Sequence, residues 1–433
     1  MKKALIITYY WPPSGGGGVM RWLKFSKYLP LYGWQPVIFT PENPDPSITD
    51  ESLTREIPGN TVVIKLPIWE PYDIYRKLTG KKKEEKFKAG YISEASSRGW
   101  KDKLSVFIRG NLMIPDPRKF WVNPSVKYLK NYLKENPVDV IITTGPPHSM
   151  HLIGLKLKRS LNIPWIADFR DPWTNIDFYH RLRLTRWADR KHKALEKKVL
   201  QEANEVITVS WSWAKDFQQI VPREIVVITN GYDPDDFDFG PLETDNHFSL
   251  THIGSFNKDR NPEALWAVLG QKAKTDPLFK EKLKLRFAGQ TDQSIFRSLK
   301  INGLEQNAED FGFMDHKKSL ALLKQSQVLL LPLNDSPNVS GIIPGKLFEY
   351  LAVERPILLI GPEDGDSAKI IRQANAGVVA GFQDNAEIER NVDTLFNQYM
   401  KGKLAGIPSG ITEFSRKGLT ERIAILLNKM VKQ

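Results

Sequence analysis

Apolar runs recur along this chain, each closed by a polar loop and followed by a segment whose apolar positions fall three or four apart. Ala4 to Tyr9, Pro36 to Thr40, Thr61 to Leu66, Val138 to Thr143, Pro164 to Ala167, Val206 to Val209 and Ile225 to Ile228 read as strands, and so do Phe248 to Ile253, Leu283 to Ala288, Val328 to Leu333 and Ile357 to Ile360. Between them lie helical stretches. The first sets Trp22, Phe25 and Leu29 on one face and directs Arg21, Lys24 and Lys27 elsewhere. Others cover Val126 to Leu133, 149 to 160, 180 to 203, Trp213 to Gln219, Pro262 to Leu269 and Ser319 to Gln325, and a final helix runs from Leu419 to Lys429. Sheet wrapping restarts near Phe248, so the pattern predicts an α/β protein of two domains facing a cleft.

The segment Gln327 to Ile360 carries the densest chemistry: strand, Gly- and Pro-bearing loop, short helix, strand. The loop from Asn334 to Gly345 is expected to turn successive N–H groups toward one point and hand over to a helix N-terminus, a recipe for phosphate. Lys346 adds a cation, and Glu349, one turn on, offers a carboxylate for two hydroxyl groups. That inventory suits a nucleotide sugar; a plain surface loop with a Lys/Glu pair is the structural alternative.

Three further clusters sit at predicted strand ends. Four glycines, Gly15 to Gly18, follow the first strand; with no Cβ atoms, Gly16, Gly17 and Gly18 allow a diphosphate or sugar close to the backbone. No Gly-Lys-Ser/Thr follows them, and the spacing is not the dinucleotide fingerprint. His148 follows Thr144-Gly145-Pro146-Pro147, and Asp168, Arg170 and Asp171 close the strand after that. Ligands of open α/β sheets gather beyond the carboxyl ends of strands, so these four are read as substrate contacts, or else as a buried network organised by Arg170. Gly254 closes the strand at Phe248, and Lys258 and Arg260 then place two cations where a departing diphosphate develops charge; Arg260 is the stronger candidate.

A length of 433 residues allows two or three domains, and the absence of cysteine excludes a disulfide scaffold or a thiolate metal site. The opening MKKALIITYYWPP reads as a first strand, since its apolar run is short and has no small-residue cleavage site. No run reaches the roughly 20 apolar residues that span a bilayer. A net charge of +12 calls for an anionic partner. Within a looser insert, about 69 to 121, the part from Arg76 to Lys103 holds ten Lys or Arg against four acidic residues, interleaved with aromatic ones. It is read either as a contact to an anionic membrane or as a solvated insertion.

Taken together, YYWPPSGGGG, VITVS, TNGYDPDDF, HIGSFNKDRNP, IPGKLFEYLAVERPIL and FSRKGLTERIAILL, in that order, resemble retaining glycosyltransferases of GT-B architecture, the group 1 or family 4 type of bacterial polysaccharide and lipopolysaccharide synthesis. The resemblance implies two Rossmann-like domains: an acceptor-side domain, 1–215, and a nucleotide-sugar domain, 216–412, with 413–433 crossing back onto the first. It carries the ribose-binding glutamate onto Glu349 and the N-domain histidine onto His148. The family's second glutamate falls on Gly341, flanked by Ile342 and Ile343; its arginine falls on Ser255, and its lysine position holds Arg260. Hexosyl transfer with retention is implied, catalysed by His148, Arg260 and Lys346. Neither cofactor nor essential metal is expected. A glycan or lipid-linked acceptor and a cytoplasmic site, peripheral to the membrane, are implied, with no nucleic acid and an undefined oligomeric state. A nucleotide-sugar 2-epimerase of similar fold and a basic membrane- or nucleic-acid-binding protein are the alternatives.

Overall fold

Two all-parallel sheets are built from β1 (Lys2–Ile7), β2 (Trp34–Pro41), β3 (Val62–Leu66), β4 (Val140–Gly145), β5 (Trp165–Phe169), β6 (Glu205–Thr208) and β7 (Val226–Val227), and from β8 (Phe248–Ile253), β9 (Leu283–Ala288), β10 (Ala308–Asp310), β11 (Val328–Pro332), β12 (Ile357–Ile360) and β13 (Gly377–Ala380). The first runs in the order β3-β2-β1-β4-β5-β6-β7, the second β10-β9-β8-β11-β12-β13. Consecutive residues of the central strands, such as Ala4, Leu5, Ile6 and Ile7, are all fully buried, because helices cover both faces there. These descriptions come from a computed structural model that describes residues 1–46, 48–71, 100–240, 242–404 and 408–431.

The chain divides into two compact units, Met1–Thr229 with the segment from Arg416 onward, and Asn230–Ser415. The junction therefore lies beyond the expected 215/216. Ile228 donates to the Thr208 carbonyl at 2.9 Å and β7 pairs with β6, which fixes 216–229 to the first sheet. Helix Arg416–Val431 does return to the first unit, where Leu419, Ile423 and Leu427 share a core with Trp22, Phe25 and Leu29. Burial is worth about 1.5–3 kcal/mol for each such side chain.

That packing corrects the reading of the first helix, Gly17–Tyr28. Arg21 and Lys24 are buried as thoroughly as Trp22, because this helix is covered on more than one side. Lys24 is paired with Glu56 at 2.7 Å.

Of the insert, the described residues include helix Trp100–Leu112 and the start of helix Lys119–Glu135. Residues 72–99, with most of the basic stretch from Arg76 to Lys103, lie outside the described residues. Among the described residues no helix is long and apolar enough to cross a membrane.

Candidate active site

In each sheet the strand order reverses direction once, between β1 and β4 and between β8 and β11. Connections leave to opposite faces at such a point, which opens a crevice at the carboxyl ends of the two strands. The predicted residues collect at these four ends: Gly16, Gly17 and Gly18 after β1; His148 after β4; Ser255, Lys258 and Arg260 after β8; Gly341, Ile342, Ile343, Lys346 and Glu349 after β11.

In the first unit the glycines open the helix Gly17–Tyr28, whose N-terminus no side chain caps. Gly16 has φ +85° and is exposed, as is Gly17. Gly18 is required by contact: a Cβ there would lie 2.9 Å from Arg170 Nη1 and 3.0 Å from Tyr10. Arg170 in turn donates to the Gly18 carbonyl at 3.0 Å and to the Pro146 carbonyl at 3.4 Å, and so ties the β1, β4 and β5 ends together. Asp171 lies 3.4 Å from Arg170 Nε and is partly exposed.

Asp168 does not share that exposure. It is fully buried and accepts from Arg21 at 3.0 and 3.1 Å, Trp22 at 2.7 Å and Thr144 at 2.9 Å. The buried network anticipated around Arg170 is instead centred on Arg21, whose third bond reaches the Thr229 carbonyl at 2.9 Å.

His148 precedes helix Ser149–Leu161, which Asp116 caps by accepting from the Ser149 backbone and hydroxyl, both at 2.9 Å. Its ring is nearly parallel to Trp173, with centroids 5.0 Å apart. Burial first, then the nearby His151 and Arg170, hold its pKa well below the usual imidazole range, so the ring is neutral. Trp173 is itself anchored: its indole N–H donates to His192 Nδ1 at 3.1 Å, and its backbone N–H to Glu196 at 3.2 Å.

In the second unit Arg260 donates to Asn334 Oδ1 at 2.7 Å and to the Ser255 carbonyl at 3.2 Å, bridging the β8 and β11 loops. Ser255 and Lys258 are exposed beside it. Lys346 points inward. Its ammonium donates to the Ile253 carbonyl at 2.5 Å and to His252 Nε2 at 3.1 Å. Glu349, one turn along helix Gly345–Ala352, is bonded to His316 at 3.1 Å.

The 334–345 loop is less of a phosphate nest than expected. A tight turn at Val339–Gly341 consumes N–H groups locally: Val339 donates to Ser336, Gly341 to Asn338 and Ile342 to Val339. Gly341 and Ile343 are buried within the loop, and Ile342 is half-buried. The helix that starts at Gly345 has no side-chain cap. Among the described residues no three His, Cys, Asp or Glu side chains converge as metal ligands.

Residues 92–236 match the family model described as Glycosyltransferase Family 4. Solved structures align over the whole chain. Sucrose-phosphate synthase from Thermosynechococcus elongatus is 13% identical, with both chains covered completely and a TM-score of 0.63. The Anabaena protein Alr3699/HepE, solved with UDP-glucose, is 13% identical over 99% of this chain and 100% of its own, with a TM-score of 0.60. WaaG, a glycosyltransferase of lipopolysaccharide biosynthesis, is also 13% identical, over 98% and 99%, with a TM-score of 0.55. The fold is GT-B. No curated protein sequence matches the chain.

Two features of this GT-B chain escaped the sequence reading. His316, the partner of Glu349, stands 33 positions away on another helix, where no spacing rule links them. Gly254, Gly289 and Gly312, at the ends of β8, β9 and β10, all have positive φ, and a Cβ on Gly289 would lie 2.5 Å from the Gly254 carbonyl oxygen. Each is an isolated glycine after a strand, and the alignment of the three became visible only with the strand order.

Proposed function

We propose that this chain is a glycosyltransferase that moves a hexosyl group from a nucleotide diphosphate sugar to an acceptor hydroxyl, with retention, in the synthesis of a cell-surface or lipid-linked glycan. One observation carries the reading: Arg260, Lys346 and Glu349 gather at the β8/β11 switch point, beside an uncapped helix N-terminus. Two cations and a helix start suit a diphosphate, and a carboxylate one turn away suits ribose hydroxyls. The likeness to family 4 over residues 92–236 supports the same reading from the other unit.

In the reaction, the bond from the anomeric carbon to the diphosphate oxygen breaks as a bond to the acceptor oxygen forms on the same face. The acceptor proton passes to a phosphate oxygen of the leaving group. Arg260 and the Gly345 helix start hold the charge that develops there, and Lys346 joins them by exchanging the Ile253 carbonyl for phosphate. Glu349 exchanges His316 for the ribose. In the first unit, Arg170 and Asp171 at the β5 end bind hydroxyl groups, and neutral His148, buried near Arg170, shapes that end of the sheet.

A panel of UDP- and GDP-sugars tests this. The correct donor raises the unfolding temperature, and an added acceptor releases nucleoside diphosphate. Glu349→Ala and Arg260→Ala abolish both effects while the chain remains folded. Absence of binding across the panel overturns the reading, and interconversion of UDP-sugar epimers without acceptor replaces transfer by epimerisation.

A further inference from the structure

His316 reaches Glu349 from a loop that is fixed at both ends. At the close of β10, Phe311 donates to the Phe287 carbonyl at 2.8 Å. Gly312 turns the chain there with φ +59°, accepting from the Gly289 backbone N–H at 2.6 Å and donating its own to Asp310 at 3.0 Å. Helix His316–Gln325 then begins, its first turn held by the Ser319 backbone and hydroxyl, which donate to the Asp315 carbonyl at 2.9 and 3.1 Å. Between these anchors His316 Nε2 comes to 3.1 Å from Glu349 Oε1. The His316 side chain is 51% exposed and that of Glu349 27%, so the contact is open to water and to a ligand.

A ribose offers two adjacent hydroxyl groups, and a carboxylate takes both most fully with both of its oxygens. With Oε1 engaged by the imidazole, Glu349 does so only when His316 lets go. How firmly His316 holds depends on its charge. A neutral ring gives an ordinary hydrogen bond, a protonated ring a charge-assisted one roughly twice as strong, and imidazole takes up its proton in mildly acid solution. The charged and titratable groups around the pair are Lys346, on the same helix as Glu349, and Asp315, Lys317 and Lys318 beside His316, with Lys318 3.5 Å from Asp315. From β8 comes His252, which is neutral and accepts from Lys346. We infer that His316 is a positioning residue that competes with a nucleotide sugar for Glu349 and, once its ring is charged, withholds the carboxylate from the ribose. The inference rests on the reading of Glu349 as the ribose residue, and adds to it a donor affinity that falls as the solution becomes acid.

Calorimetric titration of the full chain with UDP- and GDP-sugars at about pH 8 and about pH 5.5, on either side of the imidazole range, tests it. The diphosphate of such a donor is esterified at both ends and does not titrate between these values, so a change in affinity belongs to the protein. The wild type binds more weakly at the lower pH. His316→Gln keeps a hydrogen-bonding side chain without the charge; at about pH 5.5 it binds about twofold to fivefold more tightly than the wild type, the scale of an exposed ion pair, and the gap narrows at about pH 8. His316→Lys is charged at both values and loses affinity relative to the wild type at about pH 8. Both variants change an exposed side chain, so their unfolding temperatures stay near that of the wild type. A Gln variant that follows the wild type at both pH values, or binds more weakly at both as a structural role would require, overturns this inference alone, because donor binding itself persists. If no UDP- or GDP-sugar binds the wild type at about pH 8, the reading of Glu349 falls, and this inference with it.

Discussion

Lys346 donates its ammonium to His252 Nε2 at 3.1 Å, while His252 Nδ1 lies 3.0 Å from the Leu330 carbonyl. The second contact places the ring proton on Nδ1, so His252 is neutral and accepts from the lysine. Burial, then the Arg260 charge, lower the pKa of Lys346 well below its ordinary value, and Glu349 opposes this only in part. The ammonium is thus stored on a strand-end carbonyl.

Lys346→Met tests that storage. A lysine with a depressed folded pKa binds its proton more readily when unfolded, so the wild type gains stability as pH rises from the folded value toward 10.5. The Met variant loses this gain. Its unfolding temperature is expected to match or exceed that of the wild type near neutrality and to depend less on pH on the alkaline side. Nucleoside diphosphate binding weakens. An alkaline profile parallel to the wild type would contradict the depressed lysine.

Acid unfolding should carry the mark of the buried histidines. His151 is fully buried and its pKa falls to about 3, chiefly through burial; His148 and His252 shift the same way. Each is neutral when folded and protonated when unfolded between its folded pKa and about 6.5, so stability is lost as pH falls through that window. Each contributes at most about 1.4 kcal/mol per pH unit. His151→Asn flattens the dependence of urea midpoint on pH between about 6.5 and 3.

Asp168 and Asp171 should separate by kind of defect. Asp168→Ala leaves the fully buried Arg21 guanidinium without its carboxylate and is expected to cost about 3–5 kcal/mol, read by urea unfolding. Asp171 is partly exposed, so Asp171→Ala stays within about 0.5 kcal/mol of the wild type. It lowers acceptor-dependent turnover without changing donor binding.

Gly18→Ala drives a methyl group into the space of Arg170 Nη1 and the Tyr10 ring. Overpacking of this kind costs about 1–3 kcal/mol. Arg170 is expected to release the Gly18 carbonyl, and turnover falls more than stability does. Gly17→Ala, with nothing within 4 Å of the added atom, is the matched control and retains more activity.

The central strands were legible because they are buried on both faces, as Phe248 to Ile253 is, and Leu283 to Ala288 was located to the residue through alternating buried and half-exposed positions. Charge placement was not. Arg21 was directed away from the Trp22, Phe25 and Leu29 face of its helix, yet it is fully buried. Its carboxylate, 147 positions away, satisfies it only after β5 is laid in the sheet. Glu349 was placed on a short helix after a strand, as the structure has it, while its bond to His316 was not legible. The 334–345 loop was legible in composition but not in conformation, because a Gly- and Ser-rich segment can spend its N–H groups on its own turns as readily as on a ligand. Helix Asp366–Gln373 and the short β13 went unread.

The return of helix Arg416–Val431 to the first unit also sets an order of assembly. The second unit is inserted within the first, and its two ends are joined, with Tyr232 donating to the Phe414 carbonyl at 3.2 Å and pairing with Ser415. It can therefore close on itself during translation before the first unit is whole. Until Leu419, Ile423 and Leu427 emerge, Trp22, Phe25 and Leu29 wait for the helix that shares their core. The unit begun earlier is completed later, and a chain stopped at Ser415 should show protease cleavage first within Gly17–Tyr28 while Asn230–Ser415 resists.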